Sequence, residues 1–368
     1  MKKVVSLLLC LVLSLIVFSS CNKDKEYTID IFICNEANQT DLQLRQSVEY
    51  YLSRIEGVTC RFYDAENDME KQLEQVDEAV KDKSDLLIVQ LVQNDDSPES
   101  YRVVMKAKDA SLPVIFIDRQ VEPTAVASYK SLSMFIGYNQ DSAADVFSEM
   151  VGQYIIDNFS DIDLNGDDTI SYIMFRGVIG NIESSKRTIS TVTKINGMLL
   201  KEELNELVFY DENSQVSYMA SDGKRELAKR YMQDALAAFP FDEDNPIELI
   251  MANNDILALG VIEALQEVGY NLGDGESPTI PIFALDGTPD GLDAVKQGLM
   301  SGTVYIDQQS IAVQLAIVVK ILANSGTIED YLAPIREQTE EAEDTETIIR
   351  VDEGTDLVYL PFLKVYSL

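Results

Sequence analysis

A repeated alternation of short apolar runs with longer amphipathic ones constrains this chain more than any single motif. Ile29–Ile33, Val58–Tyr63, Asp85–Val92, Pro113–Asp118 and Met134–Gly137 read as strands. Helix spacing occupies the stretches between them, from about Asp41 to Glu56, Met69 to Lys81 and Ser97 to Ala110. Short, nearly continuous apolar runs are what strands buried on both faces look like. Alternated with crossover helices, they predict a parallel sheet. After a long helix over Ser142–Phe159 the pattern restarts, with strands at Ile170–Phe175, Leu207–Tyr210, Ile247–Ala252, Ile280–Leu285 and Gly302–Asp307. Helices predicted at Ser184–Leu199, Lys224–Phe239, Asn254–Val268 and Asp290–Gly298 separate them. The expected fold is therefore α/β, with two similar doubly wound parallel-sheet lobes. Ligands of open parallel sheets sit at the carboxyl ends of the strands, so polar residues directly after each strand are the site candidates. The run Glu340-Glu341-Ala342-Glu343-Asp344 breaks the pattern, and residues Arg336–Asp356 read as an exposed insertion before a closing strand at Val358–Val365.

The N-terminus carries Lys2 and Lys3, an apolar run from Val4 to Phe18, and then Ser19-Ser20-Cys21. The run is too short for a membrane span and suits an export signal over residues 1–21. A cysteine after small residues looks like a lipoprotein signal with Cys21 as the acylated site, followed by a polar tether at 22–26. Phe18, where Leu is usual, departs from that pattern, and an ordinary cleaved signal is the alternative. No second apolar run is long enough to cross a bilayer, and at about 100–200 residues per domain the rest suggests two domains. A formal net charge of −34 argues against nucleic acid as a partner and against anionic membrane, leaving the lipid as the only membrane contact. The chain has no histidine, which removes Ser-His-Asp and Cys-His nucleophilic sites and His-ligated zinc. Cys34 and Cys60 are read as two buried thiols, with a disulfide as the alternative.

Asp163-Leu164-Asn165-Gly166-Asp167-Asp168-Thr169-Ile170-Ser171 sets oxygen side chains at alternate positions, with the Thr169 carbonyl between them. That spacing can wrap a hard cation such as calcium, although Asp168 stands where an EF-hand has Gly and Met174 where it has Glu. An acidic turn held by Asx hydrogen bonds is the alternative.

Segment order and several local strings resemble the type I periplasmic sugar-binding proteins of ABC transporters, nearest to their galactose/glucose-binding branch. The strings are Asp64-Ala65-Glu66-Asn67-Asp68, Leu112 to Arg119, Ala252-Asn253-Asn254-Asp255 through Gly260, Phe283 to Gly287, and Gly302-Thr303-Val304. The resemblance implies two lobes joined by a three-strand hinge, crossing near Gly137-Tyr138, near Ile306-Asp307 and in the tail. It thus divides the chain into 27–137 plus about 307–345 for the N-terminal lobe, and 138–306 plus about 346–368 for the C-terminal lobe. It also implies Glu248 as a distant sixth ligand of a structural calcium ion.

Carried over by position, ligand contacts would come from Asn38, Asp118, Arg119, Asn181, Glu183, Arg187, Asn254 and Asp286, with Asp307 beside Ile306, where the family has an amide. Amide, carboxylate and guanidinium groups each engage neighbouring hydroxyls of a sugar ring. For Asp118, Asn254 and Asp286 the plain alternative is a turn or helix cap. The family's stacking aromatics are absent: Thr40 replaces one, and Ala220 or Ser221 falls nearest the other, leaving Tyr138 or Tyr305 to compensate. The resemblance implies a monomeric binding protein that delivers a monosaccharide such as galactose or glucose to an ABC permease. A lipoprotein reporting to a chemoreceptor or sensor kinase, and a glycosidase using a pair such as Asp118 and Asp286, are the other readings.

Overall fold

The computed structural model describes residues 26–93, 98–177, 182–211, 213–240, 247–342, 347–352 and 354–367. The predicted export signal and Cys21 lie outside them. Two seven-stranded sheets form among the described residues. The first is built from β1 (Tyr27–Ile33), β2 (Val58–Asp64), β3 (Leu86–Val89), β4 (Val114–Asp118) and β5 (Ser133–Gly137), with α1 (Gln39–Leu52), α2 (Met69–Lys81), α3 (Glu99–Ala110) and α4 (Pro123–Ala127) between them. Period-two alternation explains how both faces are covered. In β1, Ile29, Ile31 and Ile33 pack with Leu44, Val48 and Leu52 of α1, while Phe32 joins Leu73 and Val76 of α2 on the opposite face.

α5 (Gln140–Ile162) leads into the second sheet, made of β6 (Ser171–Arg176), β7 (Val208–Phe209), β8 (Met219–Ala220), β9 (Leu249–Ala252), β10 (Ile282–Asp286) and β11 (Gly302–Tyr305). Between these strands lie α6 (Ile182–Lys201), α7 (Arg225–Ala238), α8 (Asp255–Glu267) and α9 (Pro289–Lys296). The same alternation holds: Ile173 and Phe175 of β6 meet the α7 and α8 side, and Tyr172 and Met174 meet Phe147 and Met150 of α5. From β11 the chain returns to the first lobe as α10 (Gln308–Ala323), whose Ile311, Leu315 and Val318 share the core of α1.

The tail departs from the sequence reading in two ways. Residues 336–341 are not loop but the end of α11 (Ile328–Glu341). That helix starts at a reciprocal Thr327–Asp330 capping box, and Arg336 in its middle pairs with Glu329 and with buried Asp356, so Glu340 and Glu341 form the last positions of an anchored helix, while Glu343 and Asp344 lie outside the described residues. Nor do residues from about 346 all join the second lobe. β12 (Arg350–Val351) and β13 (Leu357–Tyr359) extend the first sheet beside β5, and only β14 (Leu363–Tyr366) pairs antiparallel with β11 in the second. The single closing strand is thus two. Pro361, which has no N–H to give a ladder, stands between them.

Cys34 and Cys60 are both free, Cys34 buried and Cys60 only half-buried. Ile29 is the residue opposite Cys60 in the β1–β2 register. Cys34 lies five residues further on, roughly 16 Å along the strand, which is beyond disulfide reach.

Candidate ligand-binding cleft

A cleft of about 790 Å³ opens where the carboxyl ends of both sheets face each other. The first lobe contributes Asn38 just before α1, Asp41 and Tyr51 from α1, and Asp118 and Arg119 from the end of β4; the second contributes Asp286, Gly287 and Thr288. Tyr305, Asp307 and Gln308 line it from the passage between β11 and α10. Asp118 and Asp286 end buried strands with positive φ, 64° and 100°. L-residues rarely hold that conformation, which turns both carboxylates out of the sheets at the cleft. Gly287 follows with φ 64°, and a Cβ there would lie 2.3 Å from the Tyr305 ring, so glycine is required for this close approach.

The polar groups hold one another. Gln90, directly after β3, donates from Nε2 to Asp41 Oδ1 at 2.7 Å and to Asp118 Oδ2 at 2.8 Å, and its Oε1 accepts the Cys34 amide at 3.0 Å. Gln308 Nε2 donates to Asp118 Oδ1 at 3.2 Å. Arg119 reaches the Val92 carbonyl at 2.9 Å and Asp41 Oδ2 at 3.3 Å. Burial pushes the Asp41 carboxyl up to about 6; Arg119 and the Gln90 hydrogen bond oppose the rise and the Asp118 charge adds to it. Asp307 caps α10, accepting the Gln309 amide at 3.0 Å, the Tyr305 hydroxyl at 3.1 Å and the Ser310 hydroxyl at 2.6 Å. The result is a water-accessible pocket of fixed acceptors, amides and one guanidinium, the chemistry that orients a small polyhydroxylated molecule.

Of the predicted contacts, Asn38, Asp118, Arg119, Asp286 and Asp307 line the cleft. Asn38 also caps α1, accepting the Thr40 and Asp41 amides. Asn254 does not line it: its side chain caps α8, accepting the Leu257 amide at 3.0 Å, which is the plain alternative for that residue. Asn181 lies outside the described residues, and so do the side chains of Glu183 and Arg187 at the start of α6. Of the compensating aromatics, Tyr305 lines the cleft, whereas Tyr138 is buried with its hydroxyl spent on the Asp307 backbone. Neither Ala220 nor Ser221 reaches it.

Sequence reasoning missed Asp41, Gln90, Gln308 and the exposed stripe of α1. Two signals were there to read. Gln90 is itself a polar residue directly after a strand, and Gln43, Gln46, Ser47 and Tyr50 recur at helical spacing along the face of α1 that lines the cleft. Gln308 places an amide two positions beyond Ile306, where the family pattern has one.

The acidic loop lies elsewhere in the second lobe. Asp163 accepts amides from Gly166, Asp167 and Asp168, and Asp168 has φ 63°, as the glycine position of such a loop demands. Glu248, buried, accepts the Leu164 amide at 2.6 Å and the Ser171 amide at 2.8 Å, so it meets both ends of the loop. Among the described residues no three Asp, Glu, Cys or His side chains gather into a metal-binding group. The loop's remaining donors are the Asn165 amide, the Thr169 carbonyl and the Ser171 hydroxyl, an all-oxygen set that fits calcium in kind.

A family model described as periplasmic binding protein domain matches residues 31–327. The chain is 25% identical over 276 residues to the D-galactose/methyl-galactoside binding periplasmic protein MglB of Haemophilus influenzae, covering 74% of this chain and 75% of that protein. It is 24% identical over 304 residues to the ribose import binding protein RbsB of Salmonella typhimurium, covering 83% and 86%. Among solved structures, an ABC transporter solute binding protein from Bacillus halodurans with bound myo-inositol superposes with a TM-score of 0.62 at 20% identity, covering 95% of this chain and 96% of that one. Two parallel-sheet lobes with a polar cleft at their strand ends, matched over most of their length by one family model, identify the chain as a member of the periplasmic binding protein family.

Proposed function

We propose that this protein captures a monosaccharide, galactose or glucose or a near relative, between its two lobes and delivers it to an ABC transporter permease. The observation that carries the reading is Asp118, a carboxylate turned out of β4 and held by Gln90 and Gln308, facing Asp286 of the other lobe's strand ends across one cleft. Paired acceptors on opposite walls suit a ring that presents hydroxyls on both edges, and closure would exclude water from those bonds. The relatives named for galactose and ribose, and the neighbour holding myo-inositol, support a polyhydroxylated ring as the ligand class. They are transport binding proteins rather than enzymes. A thermal-shift panel of hexoses, pentoses and inositols tests the reading, because a ligand that binds only the folded state raises apparent stability. A shift of several degrees with galactose or glucose supports it; a shift with an inositol or pentose alone moves the ligand within the class, and none with any of them overturns it.

The same reading includes a lipid anchor at Cys21 and a structural calcium ion held by Asp163, Asn165, Asp167, Thr169, Ser171 and Glu248. The signal-like N-terminus supports the first and the all-oxygen loop the second. Labelled palmitate should enter the wild-type chain in bacteria and be lost in Cys21→Ser. Chelator should lower the melting temperature of the wild type and leave Glu248→Gln unmoved.

A further inference from the structure

Asp255, the first residue of α8, is fully buried behind the second lobe's wall of the cleft. Its Oδ2 accepts the Thr288 amide at 2.6 Å and the Thr288 hydroxyl at 3.0 Å, and its Oδ1 accepts the Thr303 hydroxyl at 2.7 Å. Thr288 lines the cleft and caps α9, its hydroxyl accepting the Gly291 amide at 3.1 Å. A Cβ at Gly291 would lie 2.1 Å from Asp255 Oδ2, so the absence of a side chain there admits the carboxylate. One carboxylate therefore ties three pieces together: the start of α8, the turn bearing Asp286, Gly287 and Thr288, and β11, which runs on into the passage between the lobes.

We propose that Asp255 is a positioning residue whose ionised form locks the 286–289 turn against β11 and whose protonation loosens it, coupling ligand capture to proton release. All three donors point at acceptor oxygens, which an ionised carboxylate supplies and a protonated one does not. A proton on Oδ2 would face the Thr288 N–H, and one on Oδ1 would force the Thr303 hydroxyl to turn round; in either case charge-assisted bonds become weaker neutral ones. Titration falls in a useful range: burial, then the facing charge of Asp286, pushes the Asp255 carboxyl up to about 7. Asp286 at the end of β10 is the charged group that faces it; α9 and β11 present Thr288, Gly291 and Thr303. The loosened turn keeps Asp255 buried but takes away the Thr288 donors that lower its pKa, so the locked form holds the proton less tightly than the loosened one. By linkage, a ligand that requires the locked turn shifts Asp255 toward its ionised form and is bound more weakly as pH falls through about 7. The coupling to capture rests on the cleft being the ligand site.

Hydrogen exchange of the ligand-free protein at several pH values tests the lock without a ligand. Corrected for intrinsic rates, protection at the Thr288 and Gly291 amides should fall about tenfold between pH 8 and pH 6 in the wild type and stay flat in Asp255→Asn. If Asp255→Asn does not fold, Asp286→Asn should move the midpoint to lower pH by removing the facing charge. Flat wild-type protection, or an unmoved midpoint in Asp286→Asn, overturns the proposal. Galactose and glucose affinities across the same pH range are measured in parallel. Binding that weakens toward pH 6 supports the coupling, and binding independent of pH overturns it. If neither sugar binds at any pH, the sugar reading fails while the exchange profile still judges Asp255.

Discussion

Gln90 sits where β3, α1 and β4 meet, and its amide is fully used: two hydrogen bonds out to Asp41 and Asp118, one in from Cys34. Replacing it with Leu keeps the volume and leaves two carboxylates and one buried amide short of a partner. Gln90→Leu should lose about 2–4 kcal/mol of stability in urea unfolding, since each unsatisfied buried group costs about 1–3 kcal/mol. Asp41 is the opposite case. Its folded carboxyl lies near 6, above the ordinary value of about 3.9, so the folded state holds its proton more tightly than the unfolded chain does. A raised carboxylate contributes least strain when protonated, and stability should therefore fall as pH rises from about 4 through 6. Removing the charge in Asp41→Asn should flatten that limb by on the order of 2 kcal/mol in denaturant titrations at pH 4 to 8. At this scale the sequence was legible where position alone sets the role. Asp118 and Asp286 reach the cleft as the strand-end rule expects, whereas Asn254 obeys the same rule and caps α8 away from the cleft lining. Asp41 was hidden because nothing in a helix's first turn tells a solvated acid from one folded under Arg119.

Elements were more readable than residues, because apolar runs in β3, β4 and β9 have no polar face to confuse the period, and both flanking layers leave their mark on one run. The tail resisted for physical reasons. A like-charge block argues for loop, yet its first two residues, Glu340 and Glu341, end α11, whose start is capped and whose Arg336 draws Glu329 and Asp356 together. Thr327→Ala removes the cap and should lower stability by about 1 kcal/mol in thermal unfolding. Arg336→Met should cost more than Thr327→Ala, because it strands Asp356, which is only 5% exposed, as an unpaired buried charge. The split of the closing segment into β13 and β14 was equally illegible, since Val358–Val365 is a nearly unbroken apolar run that reads as one strand until Pro361 is weighed.

For the whole molecule, three passages join the lobes: from β5 into α5, from β11 into α10, and from β13 into β14. The third has a consequence for the order in which the fold can form. β12 and β13 complete the edge of one sheet and β14 the edge of the other, so residues 350–366 are needed by both. Until residues 350–366 are in place, β5 and β11 each present an unpaired strand edge, so both sheets are completed late. For export behind the signal-like N-terminus proposed above, lateness of this kind would keep the chain threadable.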